Sequence, residues 1–131
     1  MPRETTPPKI TREIKRLCRK IAPKSNLIVV PVKPVPNALI NECFSNVKNM
    51  VEKYGGQIVS GWTIWQWANI LIEAEAHAIW KSSNGELLDI TPHDAEEDEI
   101  FFLPDNKVVY EGLRIPTQRL SQILCKLHIV M

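Results

Sequence analysis

Cys43, His77 and Asp89 are the residues of this chain whose types and order suit nucleophilic chemistry. A cysteine attacks as its thiolate, which a helix N-terminus and a neighbouring imidazolium both favour. A base must reach the sulfur, and a third group must orient that base. Cys43 falls at the start of a helical pattern. It lies in the first turn if Asn41 is the cap, and a turn deeper if Asn37 is. His77 lies in a strand pattern over 73–80, where Glu73, Glu75, His77 and Ile79 share one face. Asp89 follows on the returning strand, beyond the turn signal Ser82-Ser83-Asn84-Gly85. An even pairing sum centred near Ser83-Asn84 sets Asp89 opposite His77, or diagonal to it on the same face. Such neighbours are roughly 5–8 Å apart. An odd sum puts them on opposite faces.

Each residue alone has a plainer reading. A cysteine on an apolar helix face is usually core. A strand histidine is usually structural, and an aspartate before Ile-Thr-Pro is commonly a turn acceptor. The order and spacing of the three together favour a site. Trp62, Trp65, Trp67 and Trp80 form a dense set. Trp62 and Trp80 are candidates to line a cleft. Trp62, Trp65 and Glu75 are candidate substrate contacts, against the alternative that the tryptophans are core. Glu73 and Glu75 include at least one solvent-facing carboxylate on this reading.

The elements that must position these residues follow from periodicity. Residues 1–8, with three prolines and no apolar anchor, read as a disordered tail, and 9–131 as one domain. Ile10, Ile14, Leu17, Cys18 and Ile21 form one stripe of an amphipathic helix ending before Pro23. Leu27 to Val32 is a strand or extended segment. Cys43, Phe44, Val47, Met50, Val51 and Tyr54 share the face of a second helix, stopped by Gly55-Gly56. Strand composition marks Gln57–Trp67, Ile70–Trp80, Glu86–Ile90, Ile100–Leu103 and Lys107–Tyr110. Pro116 opens a last helix, with Leu120, Ile123, Leu124 and Leu127 as its stripe. The segregated order means α+β: N-terminal helices on an antiparallel sheet, with a C-terminal helix.

A cysteine helix, then a strand with His77-Ala78-Ile79-Trp80, a glycine turn and Asp89-Ile90-Thr91-Pro92, resembles the transglutaminase-like branch of the papain-like superfamily. The resemblance covers roughly residues 37–92. It implies a papain-like core, with Cys43 as nucleophile, His77 as general base and acid, and Asp89 as orienter of the imidazole. It also implies that an amide side chain ahead of the cysteine helps bind the oxyanion, and Asn37 is the candidate. The chain departs from the family pattern in having Phe44 rather than Trp after the cysteine, and Glu42 before it.

Composition bounds the remaining classes. With 44% hydrophobic and 24% charged residues in 131, the chain is an ordinary globular domain. No apolar run approaches a membrane span, and the N-terminus lacks a secretion signal, so a cytoplasmic protein is expected. Three cysteines without a Cys-x-x-Cys pair, and three histidines without ligand spacing, support neither disulfides nor a metal. No phosphate-binding glycine loop occurs. No cofactor is expected. Net charge is +1, yet residues 1–34 carry nine basic against two acidic side chains, while residues 94–99 hold five carboxylates. The acidic run reads as a solvated loop. The basic helix reads as a solvated face, with nucleic acid as the sharper alternative. The favoured expectation is a cysteine hydrolase or acyltransferase acting on a protein or peptide amide. The alternatives are a non-catalytic binding module on the same fold, or nucleic-acid binding through the basic helix.

Overall fold

Thr11 caps the first helix, α1 (Arg12–Ile21), its side chain accepting from the Ile14 amide at 3.3 Å. The computed structural model describes residues 4–67, 71–94, 96–108 and 127–130. Along α1, Ile14, Leu17 and Cys18 are buried as their spacing predicts. Arg12, Lys15, Arg16, Arg19 and Lys20 are exposed on the opposite side.

The other described elements are β1 (Glu4–Thr5), β2 (Ile28–Pro31), α2 (Cys43–Tyr54), β3 (Gln57–Trp67), β4 (Leu71–Lys81), β5 (Leu87–Leu88), β6 (Glu99–Pro104) and β7 (Leu127–Val130). The strands form one sheet in the order β2-β6-β3-β4-β5, with β1 added to β3 and β7 to β4. Every strand pair is antiparallel. The chain is therefore α+β, with helices packed on an antiparallel sheet.

The sheet nearly closes on itself. Just beyond β2 and β5, Val32 and Asp89 form a parallel bridge. There the Asp89 amide donates to Pro31 O at 2.9 Å, and the Lys33 amide donates to Asp89 O at 2.8 Å. Asp89 thus sits in the seam with its backbone held from both sides.

Strand alternation divides the core. On one face Ile64, Ile72, Ala74, Phe101 and Leu103 meet α1, and Ala78 meets Val47 of α2. On the other face Val30, Trp65, Ile79, Ile100 and Phe102 pack together. His77 belongs to this second face, its ring centroid 6.4 Å from that of Phe102. Gly61 pairs with His77 across β3 and β4. A Cβ at Gly61 would stand 2.2 Å from Leu103 O and 2.8 Å from the Phe102 ring. The missing side chain lets β6, and with it Phe102, lie close behind His77.

Several expectations are corrected. Residues 4 and 5, read as part of a disordered tail, pair with Trp67 and Gln66 of β3. Thr6 anchors them further, its amide donating to Glu97 and its hydroxyl to Glu99 O. The acidic run is accordingly more than a solvated loop, since Glu99 opens β6. Neither Asn37 nor Asn41 caps α2. Both take left-handed backbone (φ 72° and 65°), which asparagine tolerates better than most residues, and Glu42 occupies the cap position. Tyr54, expected in the buried stripe, is 58% exposed. The returning strand shortens to β5. Lys107 and Val108 form no strand: their amides donate to the Asp105 side chain and carbonyl in a turn. Leu127, read as helical, lies in β7. The expected helix from Pro116, including Leu120, Ile123 and Leu124, lies outside the described residues up to that point.

Candidate active site

Pairing of Trp80 with Leu88 and Lys81 with Leu87 gives the even register that the hairpin requires. Asp89 then falls on the His77 side of the sheet, diagonal to it. His77 Nε2 is 2.9 Å from Asp89 Oδ1. The Cys43 thiol hydrogen-bonds the same imidazole. With Nε2 committed to Asp89, Nδ1 is the ring nitrogen left for the sulfur. The structure therefore brings together the three residues singled out by order and spacing.

Their burial is graded. Asp89 is fully buried, His77 is 4% exposed, and Cys43 at the first position of α2 is half-exposed. The sulfur is the member within reach of an outside molecule. The imidazole and carboxylate are shielded behind it, where charge interactions are screened least.

Burial pushes the His77 imidazole down. The Asp89 carboxylate and Cys43, through both charge and hydrogen bonding, push it up more strongly, leaving it well above its ordinary value. Burial likewise pushes the Asp89 carboxyl up. His77 and His93 outweigh that and hold it below the usual carboxylate range. An ionised Asp89 only accepts hydrogen bonds, so both imidazoles donate to it. Cys18 offers the contrast: in the α1 core, burial pushes its thiol up to about 11. Cys125 lies outside the described residues.

His93 is the site residue that sequence reasoning missed. Its Nε2 is 2.5 Å from Asp89 Oδ2. It follows Pro92, outside any strand, so no periodicity flags it. The available signal was its place four residues after Asp89. Asn46 was missed as well. One turn after Cys43, its side chain accepts from the Leu39 amide, and its Nδ2 donates to Leu39 O at 2.9 Å and to Thr91 Oγ1 at 3.0 Å. Asn46 thereby fastens the cysteine helix to the segment that carries Asp89.

The other candidates are placed differently. Trp65 is buried, meets His93 edge-on with ring centroids 5.2 Å apart, and donates to Glu75 Oε1 at 3.2 Å. Trp65 and Glu75 thus stand behind the site and hold one another. Trp62 packs against the α1 core on the other face and donates to Asp105 Oδ2, so it does not join the site. Trp80 donates to Gly55 O and fixes the end of α2, far along the helix from Cys43. Glu73 is buried, and Glu75 is half-buried; neither is a solvent-facing carboxylate. Asn37 is exposed and borders a cavity of about 540 Å³ that runs along α2 past Asn46, Met50 and Tyr54.

His77, Asp89 and His93 are also the described side chains with donor atoms clustered closely enough to consider a metal, all within 4.8 Å. Two ligands on one zinc would stand about 3.3 Å apart, given bonds near 2.0 Å in tetrahedral geometry. The nitrogen–oxygen separations of 2.9 and 2.5 Å are hydrogen-bond lengths instead. The geometry is that of a proton-sharing relay. Among the described residues, no helix is long and apolar enough to cross a membrane. Comparison of the chain with protein-family models, curated proteins and solved structures finds no match.

Proposed function

We propose that this chain is a cysteine-dependent acyl-transfer enzyme acting on an amide bond, with a protein or peptide as substrate. The observation that carries the proposal is the His77 imidazole held between the Cys43 thiol and the Asp89 carboxylate. A buried imidazole raised by a carboxylate on one side and a thiol on the other is suited to pair with a thiolate. In this reading the Cys43 sulfur attacks the amide carbon and the carbonyl becomes a tetrahedral oxyanion. His77 delivers its proton to the leaving nitrogen, the carbon–nitrogen bond breaks, and a thioester remains on Cys43. Water then attacks the thioester while His77 takes a proton from it. The sulfur leaves, regenerating the free site and releasing a carboxylic acid. An amine in place of water gives transamidation. Asp89 stays ionised throughout and keeps the imidazole aimed at the sulfur.

The test is iodoacetamide treatment of the native protein followed by peptide mass mapping. Cys43 should be carboxamidomethylated well before Cys18, and Cys43→Ala should abolish that label and all amide hydrolysis while keeping the native circular dichroism spectrum. Equal labelling of Cys43 and Cys18 in the folded protein would overturn the proposal.

A second reading draws on the exposed basic face of α1, formed by Arg12, Lys15, Arg16, Arg19 and Lys20. It makes the chain a binding module for an acidic partner or nucleic acid, and its mark is binding that weakens steeply with added salt.

A further inference from the structure

A buried carboxylate needs donors for both of its oxygens, because an oxygen stripped of water and left unpaired carries the full desolvation penalty. Asp89 has one imidazole for each: His77 on Oδ1 and His93 on Oδ2. The Thr91 amide reaches Oδ1 only, at 3.4 Å. His93 is thus the side chain that satisfies Oδ2 and stops the carboxylate from turning about its terminal bond.

His93 is itself held. Its side chain is 11% exposed, and its ring lies 5.4 Å from the His77 ring and edge-on to Trp65. Trp65 is pinned by its hydrogen bond to Glu75. A continuous line of contacts therefore runs Glu75–Trp65–His93–Asp89–His77–Cys43, crossing from β4 through β3 to the seam and back.

We infer that His93 is a positioning residue of this site: by donating to Oδ2 it fixes the carboxylate that aims the His77 imidazole at Cys43. The inference rests on the reading of Cys43 and His77 as a catalytic pair. It gives Trp65 and Glu75 a role in support of His93 rather than in contact with substrate. It also assigns protonation: His93 carries its hydrogen on Nε2. The ionisable groups acting on His77 are Asp89 and Cys43, and those acting on Asp89 are His77 and His93. Removing His93 therefore reaches Cys43 only through Asp89 and His77.

The experiment combines Cys43 alkylation with ring-nitrogen NMR on the full chain. The iodoacetamide rate at Cys43 is measured from pH 5 to 9 in wild type, His93→Ala and His93→Gln. We expect His93→Ala to slow alkylation near pH 6.5 by about tenfold, less than loss of a group that itself transfers the proton. His93→Gln, whose amide can donate to Oδ2, should recover most of the rate and the wild-type pH profile. In wild type, long-range ¹H–¹⁵N spectra should show His93 protonated at Nε2, and the His77 Hε2 resonance should move in His93→Ala.

A wild-type pH profile in His93→Ala would overturn the inference. So would an unprotonated His93 Nε2, since that nitrogen could not donate. Stoichiometric zinc uptake that removes both Nε2 protons would overturn it too, by making the trio a metal cage. The NMR arm needs no variant, so it decides the matter even if His93→Ala fails to fold. A wild-type Cys43 no more reactive than in unfolded chain would sink the catalytic reading itself, while the His93 tautomer would still report whether it holds Asp89.

Discussion

His77 Nε2 lies 2.9 Å from Asp89 Oδ1, joining a central strand to the seam where the sheet closes. The contact depends on two separate features. The hairpin register puts both side chains on one face. The backbone hydrogen bonds of Asp89 to Pro31 and Lys33 then fix how far its carboxylate can move.

Asp89→Asn keeps the shape and removes the charge. The amide offers one acceptor and one NH₂ group where two imidazole donors now converge. One imidazole must turn away or change tautomer. We expect amide hydrolysis to fall by roughly 10²–10⁴-fold, the range associated with loss of positioned acid–base catalysis. Comparing turnover with that of Cys43→Ala checks this, and wild-type turnover would rule out the orienting role of Asp89.

Stability should depend on pH through the same pair. The His77 value is raised on folding, so its contribution is full below about 6.5 and is lost as pH rises through the folded value. The Asp89 value is lowered, so its contribution is full above about 3.8 and is lost as pH falls through the folded value. Both are present together between about pH 4 and 6.5. Urea midpoints measured from pH 3 to 10 should be highest there and decline on the alkaline side. His77→Gln should flatten that alkaline decline.

Asn46→Ala tests how the cysteine helix is fastened to the rest of the site. It leaves the Leu39 amide and carbonyl and the Thr91 hydroxyl without their present partner. We expect a loss of about 1–3 kcal/mol, the scale of unsatisfied buried groups, read from denaturant unfolding. Cys43 reactivity should fall as well, because α2 would lose its tie to the Asp89 segment.

What was legible in the sequence was what local pattern dictates. The stripe of α1, the stop at Gly55, and the strand at Gln57–Trp67 follow from periodicity and turn chemistry. The Cys43–His77–Asp89 grouping was legible because a short turn leaves the register few choices. What escaped depends on partners distant in the chain. β1 consists of two residues with no apolar signal, held by backbone pairing to a strand more than sixty positions away. His93 and Asn46 are polar residues whose purpose appears only when the seam brings Asp89 and Thr91 beside them. Asn37 and Asn41 have the composition of helix caps, yet they serve as left-handed turn residues, a choice that composition does not decide.

The central claim is that His77 is charged at neutral pH because Cys43 and Asp89 hold it so. Its most direct test is the His77 ring ¹⁵N shift followed from pH 5 to 10 in wild type and in Cys43→Ala. We expect an imidazolium at pH 7 in wild type, and titration at lower pH once the sulfur is removed. A neutral His77 ring at pH 7 in wild type, with the same titration in Cys43→Ala, would contradict the claim.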